Sequence, residues 1–344
     1  MTRVLFVADQ FSDATRTRGE RHAGGAELTD ESAISASPWP VSLKTFKTLA
    51  LEGTTALNDF DVIVVANSET ASPEQLQQIA STERHVTFEH DLRICRWRGN
   101  FPSGRDFVHR TLQRCWCPHT AQRALFERAR GTIFLTRLQE RYYRDNAFFS
   151  CGATRVLGSS LFGPALLDKP TSGTAASSRN QTTVFASPNP IKGYRQALRY
   201  CEKRGIVPSE IRGLAPEQVL EHFASMRSFV YLPIGPEWAG RMVVEARLLG
   251  CSVVVNDLVG VAGEDFWRGS RDQAVGFLSD GPKRFWRFVE ELMNGEVVAP
   301  PRSAKPFEAA AEALTALLRA PPRCLWPVGP RTWRASPTHE HAAW

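Results

Sequence analysis

Along the chain, short apolar runs alternate with amphipathic stretches. Residues 3–8 (RVLFVA), 61–66 (DVIVVA), 84–88 (RHVTF), 131–136 (GTIFLT), 183–186 (TVFA), 229–232 (FVYL) and 253–255 (VVV) are too short for helices. Most carry apolar residues at successive positions, the signature of strands buried on both faces. Helical repeats separate them: from Glu27 onward, from Pro73 with Ser72 as N-cap, after Thr136 as N-cap, and over 194–204, 217–224, 239–249 and 284–293. Strand, turn and helix in alternation predict α/β units built on parallel sheets. Residues 155–157, followed by Gly158-Ser159-Ser160, close the first series. Residues 169–182, rich in Pro, Thr, Ser, Gly and Ala, read as a linker. The expected division is a first domain over 1–168, the linker, a second domain over 183–303, a C-terminal helix within 304–320 and an aperiodic tail over 321–344.

Composition agrees with that division. A chain of 344 residues, 42% hydrophobic and 23% charged, can build two cores. No apolar run approaches the ~20 residues of a membrane-spanning helix, and the opening MTRVLFVADQ reads as a strand, not a signal peptide, so an intracellular, cytoplasmic protein is expected. The seven cysteines show no CxxC pair, which points to reduced buried thiols. The formal net charge of +6 is unevenly spread: residues 84–144 hold thirteen Arg, no Lys and five Asp or Glu.

In open parallel sheets, ligands bind beyond the C-terminal ends of the strands, so the polar residues after each apolar run are the candidates. Gly24 and Gly25 follow the first run. His90 and Asp91 follow 84–88. Lys192-Gly193 follows 183–186, and Glu237, Gly240, Arg241 and Glu245 follow 229–232. Glu237 precedes the helix over 239–249 and Glu245 lies two turns along. Carboxylates accept hydrogen bonds from vicinal hydroxyls, while Gly240 and the helix N-terminus offer N–H groups to a diphosphate.

This order, a Gly-Gly turn, His-Asp, Lys-Gly and E-x7-E followed by a strand and Gly260, resembles the retaining glycosyltransferases of the GT-B fold. The resemblance implies an α/β protein of two Rossmann-like, doubly wound domains with an interdomain cleft. It implies transfer of a sugar from a nucleotide-sugar donor, most simply a UDP-hexose such as UDP-glucose, with retention by same-face attack assisted by the leaving phosphate. It also implies roles. Gly24 and Gly25 let the backbone approach the diphosphate, and His90 contacts a sugar hydroxyl while Asp91 orients it or caps the next segment. Lys192 neutralises the departing diphosphate, Glu237 meets the sugar and Glu245 the ribose. The family's usual Arg five residues before the Lys is Ser187 here, with Arg241 as the candidate replacement. No metal is expected, since no DxD-type pair stands at a strand end.

The arginine excess bears on the acceptor. Forked guanidinium groups suit phosphates, and the interleaving Arg96-Trp97-Arg98 suits stacking beside a neutralised backbone. Arg93, Arg96, Trp97, Arg98 and Arg105 are therefore the expected acceptor site. The favoured acceptor is a hydroxymethylated pyrimidine in DNA, such as 5-hydroxymethylcytosine, a class served by bacteriophage enzymes of the resembled family. No clean Lys/Arg-faced amphipathic helix indicates a membrane surface. A carbohydrate or lipid-linked acceptor, a non-catalytic nucleic-acid-binding protein on the same scaffold, and a sugar-nucleotide epimerase sharing the fold stay open.

Overall fold

The computed structural model describes residues 2–12, 24–52, 54–95, 119–146, 151–169, 179–297 and 340–341. Arg96, Trp97, Arg98 and Arg105, most of the expected linker, and the helix and nearly all of the tail expected after residue 304 lie outside the described residues.

The first sheet is built from β1 (Val4–Ala8), β2 (Val41–Thr45), β3 (Val62–Val65), β4 (His85–Glu89), β5 (Gly131–Phe134) and β6 (Ala153–Val156). All six are parallel, in the order β2-β1-β3-β4-β5-β6, with Val4 opposite Val41 on one side and Val62 on the other. The second comprises β7 (Thr182–Phe185), β8 (Ser209–Ile211), β9 (Ser228–Tyr231) and β10 (Ser252–Val255), parallel in the order β8-β7-β9-β10, with β11 (Glu340–His341) antiparallel along β10. The first series of helices is α1 (Gly25–Ser35), α2 (Phe46–Glu52), α3 (Pro73–Ser81), α4 (Arg123–Glu127), α5 (Arg137–Asn146) and α6 (Pro164–Leu167). The second is α7 (Tyr194–Glu202), α8 (Pro216–Ser225), α9 (Arg241–Leu248), α10 (Arg271–Ser279) and α11 (Gly281–Met293). None of these helices is long and apolar enough to cross a membrane.

Strand alternation puts Val4, Phe6 and Ala8 in one core cluster and Leu5 and Val7 in another on the opposite face, so the uninterrupted apolar run is a strand covered on both sides. Three strands were not foreseen, β2, β8 and the short β11, and all three are outer strands of their sheets. The sequences of β2 and β8, VSLKT and SEI, are partly exposed and carry no apolar run, because an edge strand is covered less than a central one. The N-cap expected at Ser72 forms, with Gln75 completing a capping box.

One helix ties the sheets together. α11, read from the sequence as part of the second domain, packs on the first sheet: Phe285 meets Phe88 edge to face at 4.8 Å, Trp286 donates from Nε1 to Ala33 O (2.7 Å), and Glu291 pairs with Arg155 (2.6 Å). The later C-terminal helix, of which a crossing was expected, lies outside the described residues. The front seam is polar. Thr136, the expected cap of α5, receives the Gln139 N–H at 3.4 Å and donates its own hydroxyl to Trp238 O (2.7 Å) in the loop after β9. Arg137 reaches Glu264 (3.0 Å) and Asp265 (2.9 Å).

His85 opens β4 fully buried, hydrogen-bonded through Nε2 to Leu125 O (2.6 Å), and burial pushes its pKa down to about 4. A native pKa below the unfolded value of about 6.5 stabilises the fold above that pH and is lost as pH falls toward 4, since only the unfolded chain takes up the proton in between. The loss amounts to something on the order of 3 kcal/mol. Urea unfolding at pH 7 and at pH 4.5 checks this: His85→Gln, which keeps a donor but cannot charge, should lose less stability between the two pH values than the wild type.

Candidate active site

The chain leaves the middle of the second sheet in opposite directions from β7 and β9, which makes their C-terminal ends a topological switch point, the usual place for a crevice in such a sheet. Lys192 comes from the turn after β7 and Glu237 from the loop after β9, and they meet there, Lys192 Nζ to Glu237 Oε2 at 2.6 Å. Gly193 makes the meeting possible. It adopts φ +73°, and a Cβ at this position would stand 1.8 Å from Leu232 O, so no side chain fits between the two loops. Glu237 is held in a short parallel bridge to Val259, with its N–H bonded to Leu258 O (2.7 Å) and its C=O accepting from Gly260 N (2.8 Å).

Sequence reasoning missed a third member. Tyr231, the last residue of β9, is buried beside Phe185 and stacked on Phe229, and its hydroxyl donates to the same Oε2. Its apolar surroundings in the FVYL run hid the hydroxyl's role. Burial and the neighbouring Glu237 charge raise the Tyr231 pKa well above that of free tyrosine, so it remains a donor. Burial opposes the charge on Lys192, but Glu237 and, across the cleft, Asp91 more than offset this and raise its pKa. Both donors thus sit on Oε2, and Oε1 of Glu237 has no hydrogen-bond partner among the described residues.

The second carboxylate is also paired. Arg241 Nε binds Glu245 Oε1 (2.8 Å) one turn away, while its Nη1 reaches Leu161 O (2.7 Å) and its guanidinium lies over Phe162, 4.4 Å from the ring centre. Gly240, at φ +59°, starts α9 in the left-handed region that glycine adopts without strain. Gly25 faces the side chain of Arg241: a Cβ there would lie 3.6 Å from it. The Gly24-Gly25 turn of the first sheet and α9 of the second are therefore opposite one another. Arg241 and Glu245 line a cavity of about 650 Å3 with Leu28, Glu31, Phe162 and Leu220. Ser187, at the position of the missing Arg, accepts from Asn189 N (3.2 Å) and shapes the turn before Lys192.

On the first sheet, His90 stands just past β4, buried, with Nε2 bonded to Asp30 Oδ1 of α1 at 2.7 Å. The orienting partner is thus Asp30 and not the adjacent Asp91, because α1 packs over the end of β4 while Asp91 turns its backbone N–H to Glu89 Oε1 (3.1 Å) and its C=O to Gln139 (2.9 Å). Burial opposes an imidazolium here, but the charge and hydrogen bond of Asp30, with Asp91 and Glu89 behind them, outweigh it and raise the His90 pKa. His90 Nδ1 is buried without a hydrogen-bond partner among the described residues, a costly condition unless something else visits it.

Arg93 is not the surface contact expected of it. It is buried, and its five N–H groups are taken by Glu89 (2.8 Å), Ala66 O (2.6 Å), Ser68 (3.1 Å), Phe88 O (3.1 Å) and, at 3.5 Å, Val65 O. A guanidinium so satisfied locks the ends of β3 and β4 together and has no donor left for a phosphate.

No family model and no curated protein matches the chain. Solved structures similar to it include HepE from Anabaena in complex with UDP-glucose, 14% identical over 92% of this chain and 100% of that one, TM-score 0.45. An alpha-glucosyltransferase in complex with UDP and a 13-mer DNA containing a HMU base is 9% identical over 84% of this chain and 95% of that one, TM-score 0.44. The apo form of the lipopolysaccharide outer core galactosyltransferase WaaB is 8% identical over 92% and 100%, TM-score 0.42. Likenesses at this level carry no activity, substrate or partner over to this chain.

Tyr231→Phe preserves the ring packing and deletes one charge-assisted hydrogen bond to Glu237. It should lower stability by about 2 kcal/mol, read as a drop in the urea midpoint at pH 7. An unchanged midpoint would mean that Lys192 alone holds the carboxylate.

Proposed function

We propose that the chain is a GT-B glycosyltransferase that takes a sugar from a nucleotide-sugar donor, UDP-glucose being the first to test, and transfers it with retention to an acceptor hydroxyl. The observation that carries this reading is the Tyr231–Glu237–Lys192 cluster at the switch point, which leaves one carboxylate oxygen open beside a cation. Glu245 and Arg241 stand one loop away in a cavity of about 650 Å3, within the range of small-molecule sites.

In this reading the donor diphosphate replaces Glu237 as the partner of Lys192. Tyr231 keeps Glu237 Oε2 satisfied as Lys192 turns away, and Oε1 accepts from a sugar hydroxyl. Glu245 takes the ribose hydroxyls. His90 offers Nδ1, its unpartnered atom, to another sugar hydroxyl, with Asp30 fixing the ring. As the bond between the anomeric carbon and the phosphate oxygen breaks, charge grows on the diphosphate, where Lys192 and the free N–H groups at the start of α9 stabilise it. The acceptor oxygen bonds to the anomeric carbon from the same face and its proton passes to the departing phosphate. The acceptor we propose is a hydroxymethylated pyrimidine in DNA, a choice the arginine excess of residues 84–144 supports.

Glu245→Ala should weaken UDP and UDP-glucose alike, by on the order of 1.5–3 kcal/mol for a lost charge-assisted hydrogen bond. Glu237→Ala should weaken UDP-glucose and spare UDP. Calorimetry with both ligands separates the roles, and equal losses in Glu237→Ala would remove that residue from the sugar.

Lys192→Ala should reduce turnover more than donor affinity, because its interaction strengthens as charge builds on the leaving group. A fall in affinity with turnover intact, measured by release of UDP, would contradict that role.

A further inference from the structure

A second cavity, of about 790 Å3, lies between α5 and the turns that follow β10. Arg137, Arg141 and Arg144 all line it, at i, i+4 and i+7 and hence on one face of α5. At a rise of ~1.5 Å per residue the outer two are separated by about 10 Å along the helix, the axial length of roughly three nucleotides of one strand at ~3.4 Å each. The opposite wall is the chain around Asn256, Gly260 and Gly263, with Arg268 beyond it.

These arginines divide by task. Arg137 is the polar seam described above, held by Glu264, Asp265 and Gly263 O. Arg141, Arg144 and Arg268 are exposed and join no ion pair among the described residues. Of the carboxylates on the same walls, Glu264 belongs to Arg137, Glu140 accepts from Thr154 Oγ1 (2.7 Å), and Asp257 sits in the turn after β10.

We propose that this groove is a docking path for the phosphate backbone of a DNA strand. A row of guanidinium groups facing a further one across a groove suits a linear polyanion threaded between two walls. A bilayer surface, being broad, cannot enter a groove walled on both sides. Of the apolar residues of α5 that a bilayer would need, Tyr142 and Tyr143 pack instead against Trp238 and Phe134, which leaves Leu138 on the groove wall. The proposal rests on the transferase reading only for the purpose it gives the DNA, that of acceptor. It moves the polyanion surface from Arg93, which is buried, to α5.

The test uses the full-length chain and fluorescence anisotropy with single-stranded and duplex DNA between about 50 and 200 mM salt. Each neutralised phosphate contributes about 0.7 (single strand) to 0.9 (duplex) to the slope of log affinity against log salt. The variant Arg141→Ala/Arg144→Ala/Arg268→Ala should therefore lose about two to three units of slope. Arg195→Ala/Arg199→Ala/Arg227→Ala, which removes three exposed arginines of the second sheet's layer, should retain the wild-type slope. Equal losses in both variants, wild-type protein that ignores DNA at low salt, or wild-type protein that prefers anionic phosphatidylserine vesicles to DNA would each overturn the proposal. UDP-glucose calorimetry on the same proteins keeps the two readings apart. A groove-dependent DNA slope without UDP-glucose binding leaves the docking path and removes the transferase, whereas normal UDP-glucose binding without the slope does the reverse.

Discussion

The apolar face of α11 on the first sheet is the contact that turns two separate sheets into the walls of one cleft. Phe285, Trp286, Phe288, Val289 and Leu292 are all buried, and at about 1.5–3 kcal/mol for each large side chain removed from water their gross contribution is on the order of 10 kcal/mol. The polar seam at the front joins Thr136 to Trp238 O and Arg137 to the buried Glu264 and the exposed Asp265, and of these the exposed Arg137–Asp265 pair contributes only about 0–1 kcal/mol. Its value lies in direction. Apolar packing sets how firmly the sheets associate, and hydrogen bonds with fixed partners set which strand ends face each other.

What faces across the cleft is a balanced set of charges. Glu237 and Glu245 are each paired with a cation, Lys192 and Arg241. Under the proposed function a diphosphate competes with Glu237 for Lys192, and the displaced carboxylate then needs another donor. Tyr231 is that donor, since its phenol stays protonated in its apolar slot. The His90–Asp30 pair answers a related problem on the other wall, where burial alone would strip the imidazole of its proton.

Arginine plays three different parts within a short stretch of chain. Arg93 is structural, with every donor satisfied inside the first sheet, and Arg137 is a seam between the two sheets. Arg141 and Arg144 stand on a groove wall and join no ion pair among the described residues. The three parts cannot be told apart by residue type or by local charge, because what differs among them is the number of acceptors that the fold brings within reach.

The sequence by itself determined the elements whose causes are local. Runs such as VLFVA and DVIVV specify central strands because only doubly covered strands tolerate continuous apolar residues, and Ser72-Pro73 specifies a helix start because cap and φ restriction act within one turn. The α/β class, and the strand ends as the place for Lys192, Glu237 and Glu245, follow from the same local signals. Tertiary structure alone decided the rest. It made β2 and β8 strands through pairing with neighbours distant in the chain, and it assigned the crossing to α11. It gave His90 the partner Asp30, sixty residues earlier, in place of Asp91 beside it, and it buried Arg93. Each of these depends on groups far apart in the chain, whose meeting is fixed by how layers pack and not by any spacing that a linear sequence displays.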